Sequence, residues 1–428
     1  MAGQQARRRT ARRTGRIRTA LCAALPLTLL PLTAGCDDPA GARDAPPELQ
    51  QMLDRRAAAV RDRDADAFLA SVDPRAAGFR AKQREMFANL AQVPLAAWSY
   101  ELVKTDAFGL PAAVGADGRR VAAEVRLRYR LTGYDTAPVT AVQYLTLTDH
   151  GGRWRITSDS DGAGSGRRSA RRLWDQGPVE VVKGRRSLVL GVGRGTAELR
   201  ELADRTDAAV PAVGKAWSGK WAGRVVVEAP QSLARMAELL NAEDSSGYQG
   251  IAAVTTGETG TAPAAPADRV VVNPEAYGEL SATGRQIVLT HETTHVATRT
   301  ATTSATPLWL SEGFADWAAY RGGARPAAST APELAHAVAK GAPPSRLPAD
   351  GDFRFSRSAR QLARAYEGGW LACRMIADTW GEQKLGAFYR AAGRGGEESA
   401  GRAMRDQLGV GPAEFNRRWQ SYVVRHLG

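Results

Sequence analysis

Residues 281–299 read SATGRQIVLTHETTHVATR. Ser281 is an N-cap by type, and Ile287, Leu289 and Val296 give apolar flanks, so the spacing predicts a helix across the stretch. His291 and His295 lie four residues apart and project from one face of that helix, so both imidazoles can reach one ion. Neutral imidazole suits zinc, at about 2.0–2.1 Å. Glu292 follows the first histidine and points aside, where its carboxylate can take a proton from an activated water instead of binding metal. The whole chain has only five histidines. An H-E-x-x-H pattern drawn from so few is read as a metal site and not as two incidental surface residues.

A catalytic zinc needs a third protein ligand and one open position. Residues 307–320 (PLWLSEGFADWAAY) supply a candidate. Pro307 can open a helix, and Trp309, Leu310, Phe314 and Trp317 form its apolar face. Glu312 stands among those core positions, where an unpaired charge is costly and coordination would resolve the cost. Asp316, four residues on, shares that side and could accept the distal N–H of a ligand histidine, expected to be His291.

H-E-x-x-H followed 17 positions after its last histidine by the glutamate of W-L-S-E-G-F-A-D resembles the gluzincin metallopeptidases. It is closest to the W-L-x-E-G-F-A pattern of aminopeptidase N-type enzymes and the peptidase MA-like group, with a Glu-x-x-x-Asp pair as in thermolysin-like enzymes. The resemblance implies His291, His295 and Glu312 as ligands of one zinc ion and Glu292 as general base. Downstream, Tyr366-Glu367-Gly368-Gly369 is similar to the Y-E-K-G segment of aminopeptidase N-type enzymes, which implies Tyr366 as oxyanion stabiliser. Leu362, Tyr366, Trp370, Cys373 and Trp380 form one helical stripe, so Tyr366 is expected to point inward. Two glycines inside a helix, each costing about 1 kcal/mol against alanine, suggest close packing on another element. The G-x-M-E-N strand of those enzymes has no acidic counterpart here. The corresponding stretch is Gly250–Thr256, which favours an endopeptidase over an aminopeptidase. Its edge strand, Ile251, Ala252, Ala253 and Val254, is a candidate to hold peptide by β-augmentation.

Outward from this core the expected class is α+β. Residues 176–428 are read as the metallopeptidase domain, a mixed sheet with an edge strand plus a mainly helical C-terminal part. Residues 49–158 are a separate module. Leu49, Met52, Leu53 and Val60 recur at helical spacing, then Val121, Ala123, Val125, Leu127, Tyr129 and Leu131 alternate with charged residues as in a half-wet strand. A second strand at 142–148 turns through Asp149–Gly152 into Trp154–Ile156 as a hairpin. Helices followed by an antiparallel meander resemble the SnoaL-like, cystatin-like fold. Residues 159–175, rich in Ser, Gly and Arg, are expected to be a linker. His150, His336 and His426 have no partner at ligand spacing and are read as surface residues, and Cys373 as buried filler.

Residues 1–35 carry a basic run and an apolar stretch of fifteen residues broken by Pro26 and Pro31, too short for a comfortable transmembrane helix. They end in Leu32-Thr33-Ala34-Gly35-Cys36, which resembles the lipobox of bacterial lipoproteins. That resemblance implies a signal peptide over 1–35, a lipid on Cys36, a tether over 36–48, and anchoring at the outer face of a bacterial cell membrane. The chain's net charge of +13 includes seven arginines of residues 1–35, where there is no acid; only +6 remains on the rest. Nucleic acid is therefore not expected as a partner. The expected activity is zinc-dependent hydrolysis of peptides or proteins. The alternatives are a zinc-binding lipoprotein that acts as a non-catalytic interaction protein, and a working N-terminal module supported by the metal domain.

Overall fold

The computed structural model describes residues 46–112, 118–257, 265–323, 325–354, 358–396 and 398–428. The expected signal peptide, Cys36 and most of the tether lie outside the described residues. The protein is a mixed α/β structure with two sheets. Among the described residues no helix is long and apolar enough to cross a membrane.

Among the described residues three helices come first: α1 (Pro47–Arg61), α2 (Ala65–Ala70) and α3 (Ala77–Asn89). They cover an antiparallel meander of β1 (Leu95–Lys104), β2 (Arg120–Leu131), β3 (Val139–Asp149) and β4 (Trp154–Ser158), in that spatial order. The alternation in β2 works as expected: Val125, Leu127 and Tyr129 are buried while Arg128 faces solvent. β1 was not foreseen, because its sequence, LAAWSYELVK, mixes Ala, Leu, Glu and Lys with β formers and has no clean period of two. His150 in the β3–β4 turn is not a free surface residue. Its Nε2 lies 2.6 Å from Oδ2 of the buried Asp73.

The second sheet has β5 (Val179–Lys183), β6 (Ser187–Val192), β7 (Val225–Ala229), β8 (Ala253–Thr256) and β9 (Arg269–Val272). Their order is β5-β6-β7-β9-β8. The three inner strands run parallel and the two outer ones antiparallel to their neighbours. β6 and β7 are buried along their whole length, as strands covered on both faces must be. Val189, Val225 and Val227 face α4 (Thr196–Ala216) and the later helix carrying His291. Leu188, Leu190, Val192 and Val226 face the other way, into one core with Trp98, Tyr129 and Trp174. The two parts of the chain therefore share a core across this sheet.

Residues 159–175, expected as linker, take part in that joint. Leu173 and Trp174 are buried, and the Trp174 ring sits 5.0 Å from Tyr129 and 5.6 Å from Trp98. Composition signalled a boundary, but two apolar residues in a short turn suffice to dock it. The joint also holds a buried ion pair. Arg269 Nη1 and Nη2 donate to Asp135 Oδ1 and Oδ2 at 2.8 and 2.9 Å.

After α5 (Leu233–Leu239) and α6 (Pro274–Gly278) the chain is helical: α7 (Ala282–Thr298), α8 (Leu308–Tyr320), α9 (Ala327–Thr330), α10 (Pro332–Ala339), α11 (Ala359–Trp380), α12 (Glu382–Ala392), α13 (Ser399–Ala403) and α14 (Pro412–Leu427). Leu310, Phe314, Leu371, Phe388, Phe415 and Trp419 belong to the core that fixes them.

Candidate metal centre

Two helices build the site. Ser281 caps α7, accepting from Gly284 N at 3.1 Å. Two buried threonines beside the histidines satisfy their hydroxyls on α7 itself: Thr290 donates to Gln286 O at 2.8 Å and Thr294 to Thr290 O at 2.7 Å, while the Thr293 hydroxyl has no partner. α8 begins after Pro307, with its Leu308 N–H held by Asp350 Oδ1 at 2.8 Å. It is pinned against α11 by glycine. A Cβ on Gly313 would lie 2.2 Å from Gly369 O, and one on Gly369 would lie 2.7 Å from Trp309 O. The close packing expected of the paired glycines is present, and it fixes the height of Glu312, the neighbour of Gly313.

His291, His295 and Glu312 converge and could hold a metal ion. The two Nε2 atoms are 3.0 Å apart, and Glu312 Oε2 lies 3.4 Å from His291 Nε2 and 3.6 Å from His295 Nε2. Tetrahedral ligands about 2.0–2.1 Å from one ion are separated by about 3.3 Å, so the triangle has the dimensions of such a site. The chemistry of the donors fits as well. Asp316 Oδ1 is 2.8 Å from His291 Nδ1. A carboxylate can only accept, so Nδ1 carries a proton and Nε2 is the ring nitrogen that faces the centre, ready to ligate once a cation displaces any proton there. Glu312 Oε2 is buried without a hydrogen-bond donor. His295 is the least buried of the three, so the site opens on its side.

Glu292 is fully buried, and one of its oxygens is held from a strand. Thr255 Oγ1, on β8, donates to Glu292 Oε2 at 2.6 Å, while Oε1 has no partner. Thr255 was not singled out from sequence. It lies 37 residues before Glu292 in a Thr-Thr pair with no local signal. Sheet order brings it there, because β8 is the outermost strand and runs along α7.

Left to the protein's own groups, this cluster is poorly balanced. Burial pushes the carboxyls of Glu292 and Asp316 above the usual range, against the pull of His291. Burial opposes the charged forms of His291 and Glu312 too, yet Asp316 raises His291 well above its ordinary value, and His295 and His291 hold Glu312 below its own. Three buried acids around two imidazoles call for a cation.

The other expected residues are placed as follows. Tyr366 is buried on α11, one turn before Gly369, with its ring edge-on to Phe353 at 5.2 Å. Glu367 is occupied elsewhere. It accepts from Glu333 N and Leu334 N at the start of α10, and burial raises its carboxyl to about 7. The edge strand is displaced by two residues from the expected 251–254. Ile251 O accepts from Asn273 Nδ2 and Ala252 O from Asn273 N, so the β9 ladder starts at Ala253. Ala253 and Val254 are in β8; Ile251 and Ala252 precede it. All four side chains are buried. Cys373 is buried, its thiol against Leu310 O.

No protein-family model and no curated protein matches this chain.

Proposed function

We propose that the protein is a zinc-dependent peptidase of gluzincin type, acting within chains more readily than at their amino ends. It would be exported and lipid-anchored through Cys36 at the outer face of a bacterial membrane, with a SnoaL-like N-terminal module. The observation that carries the reading is the pairing of a closed donor triangle, His291, His295 and Glu312, with an adjacent buried glutamate that keeps one oxygen free. A merely structural metal site has no use for that free oxygen.

When bound, zinc supplies Lewis-acid activation of water and of the scissile carbonyl. The chain's own groups do the rest. Glu292 Oε1 takes the proton from the attacking water as oxygen bonds to the carbonyl carbon. It then delivers that proton to the amine nitrogen as the C–N bond breaks. Thr255 holds Oε2 and so sets the carboxylate's orientation. Asp316 keeps the His291 tautomer that points Nε2 inward. Tyr366 donates to the developing oxyanion. The free edge of β8 holds the peptide backbone beside the site.

Metal analysis joined to peptide-library digestion, with and without chelator, tests this. Wild type should carry one zinc and cleave, and chelation should abolish cleavage. Glu292→Gln should keep the zinc and lose about 10²–10⁴-fold in rate. A zinc-loaded wild type that cleaves nothing would instead make the protein a non-catalytic zinc lipoprotein.

A further inference from the structure

The geometry points to a second binding site, for a phosphate group, in a cleft of about 550 Å³ lined by Arg185, Arg186 and Arg224 at the entry to β6 and β7. It uses no residue of the metal centre and stands whether or not the protein is a peptidase.

Strand pairing makes the cleft. Ser187 pairs with Val225, and Arg186 O accepts from Val225 N at 2.9 Å, so residues 186 and 224 sit side by side at the ends of two neighbouring strands. The Arg186 guanidinium lies over Gly223, where a Cβ would be 3.7 Å from its Nη1. Arg224 stands beside it on the neighbouring strand. Its Nη1 donates to Gly133 O at 2.7 Å, and its guanidinium lies 6.0 Å from the Tyr134 ring centroid.

The acid in the lining does not neutralise these cations. Asp207 Oδ1 accepts from Arg186 N and Ser187 Oγ, both at 2.9 Å, and Oδ2 accepts from Arg185 N at 2.5 Å. That carboxylate is spent on the β5–β6 turn, and the Arg185 Nε reaches it only at 4.0 Å. Among the described residues neither Arg186 nor Arg224 has a carboxylate within ion-pair distance. Like charges gathered at one cleft repel each other unless an anion lies between them. Exposed guanidinium groups side by side on two neighbouring strands, with a third at the adjoining turn, offer the planar donor forks that an oxygen-rich tetrahedral anion accepts from.

The phosphate could belong to a phospholipid headgroup or to a soluble phosphate compound, and one experiment separates these. Full-length protein is titrated with inorganic phosphate by calorimetry, and sedimented with vesicles of phosphatidylglycerol or of phosphatidylcholine. Arg186→Gln/Arg224→Gln should weaken the preferred arm about tenfold or more. Arg185→Gln, at a side chain 91% exposed, should weaken it about twofold. Zinc content should not change in either. Loss in the phosphatidylglycerol arm alone assigns a headgroup; loss with free phosphate assigns a soluble ligand. As a check that needs no variant, phosphate should protect Arg186 and Arg224 of the wild type from phenylglyoxal. Binding unaffected by the double substitution, or equal modification with and without phosphate, overturns the site.

Discussion

Two regions of this molecule bury several charges, and they do so in opposite ways. At the joint between the sheets, Asp135 is saturated. It accepts from Leu131 N, Ala267 N and two nitrogens of Arg269, all between 2.7 and 2.9 Å. At the metal centre, Glu312 Oε2 and Glu292 Oε1 have no hydrogen-bond partner although both side chains are buried. The Asp135 carboxylate, its bonds closed, needs nothing from outside and reads as architecture. An open set, with acids in excess and lone pairs converging, reads as a place prepared for a cation and a reacting molecule. Burial of charge alone does not separate the two regions, nor does one unpaired atom, since Arg269 Nε at the joint also lacks a partner; the convergence of several acceptors on one point does.

The contrast breaks most easily at the joint. Asp135→Ala leaves the Arg269 charge buried and alone, which should cost about 3–5 kcal/mol in urea unfolding while metal content stays unchanged. Replacing Asp135 and Arg269 together by apolar residues of similar volume should recover most of that loss, because the pair contributes little beyond satisfying itself. At the metal centre the signature reverses. Asp316→Asn should leave folding of the metal-free chain nearly as it was but weaken metal binding about 10–100-fold, read by competition with a chelating dye. If Asp316→Asn costs folding and spares the metal, the two regions are alike and the distinction fails.

A smaller effect is expected at Thr255. Thr255→Val preserves shape but removes the hydroxyl from Glu292 Oε2. Turnover should fall about tenfold, near 1.4 kcal/mol, with zinc content and KM little changed, and Thr255→Ser should restore it. A fall in zinc content would mean that Thr255 supports the fold of the site and not the orientation of the base.

What could be read in advance follows the range of each interaction. His291, Glu292 and His295 announce themselves because one helix turn relates them, and Glu312 with Asp316 repeats the logic on the next helix. The period of two in β2 and the turn after β3 are equally local. Thr255, the docking of Trp174, and the pairs Asp73–His150 and Asp135–Arg269 join residues far apart in sequence, and nothing in their neighbours marks them. β1, ten residues long, and β5, five, lack clean alternation, so nothing local marks either as a strand. The displaced edge strand has the same origin: Asn273, which ends the ladder, lies some twenty residues beyond the segment it shortens.

The finest test of the comparison uses a residue that belongs to the joint without being saturated by it. Glu228 Oε1 is 4.0 Å from Arg269 Nε, too far to bond, because both terminal nitrogens of Arg269 are committed to Asp135. Burial therefore dominates and raises its carboxyl, with Arg269 only partly opposing. A carboxyl raised by folding contributes stability that is complete below its unfolded value and is lost as pH rises through the folded one. Glu228→Gln cannot ionise and escapes that loss. Urea midpoints of variant and wild type should nearly coincide at pH 4 and separate in the variant's favour towards pH 8. A constant difference across that range would mean that Glu228 is ionised and paired in the fold. Arg269 would then answer two acids, and the joint would share with the metal centre the excess of negative charge that here sets them apart.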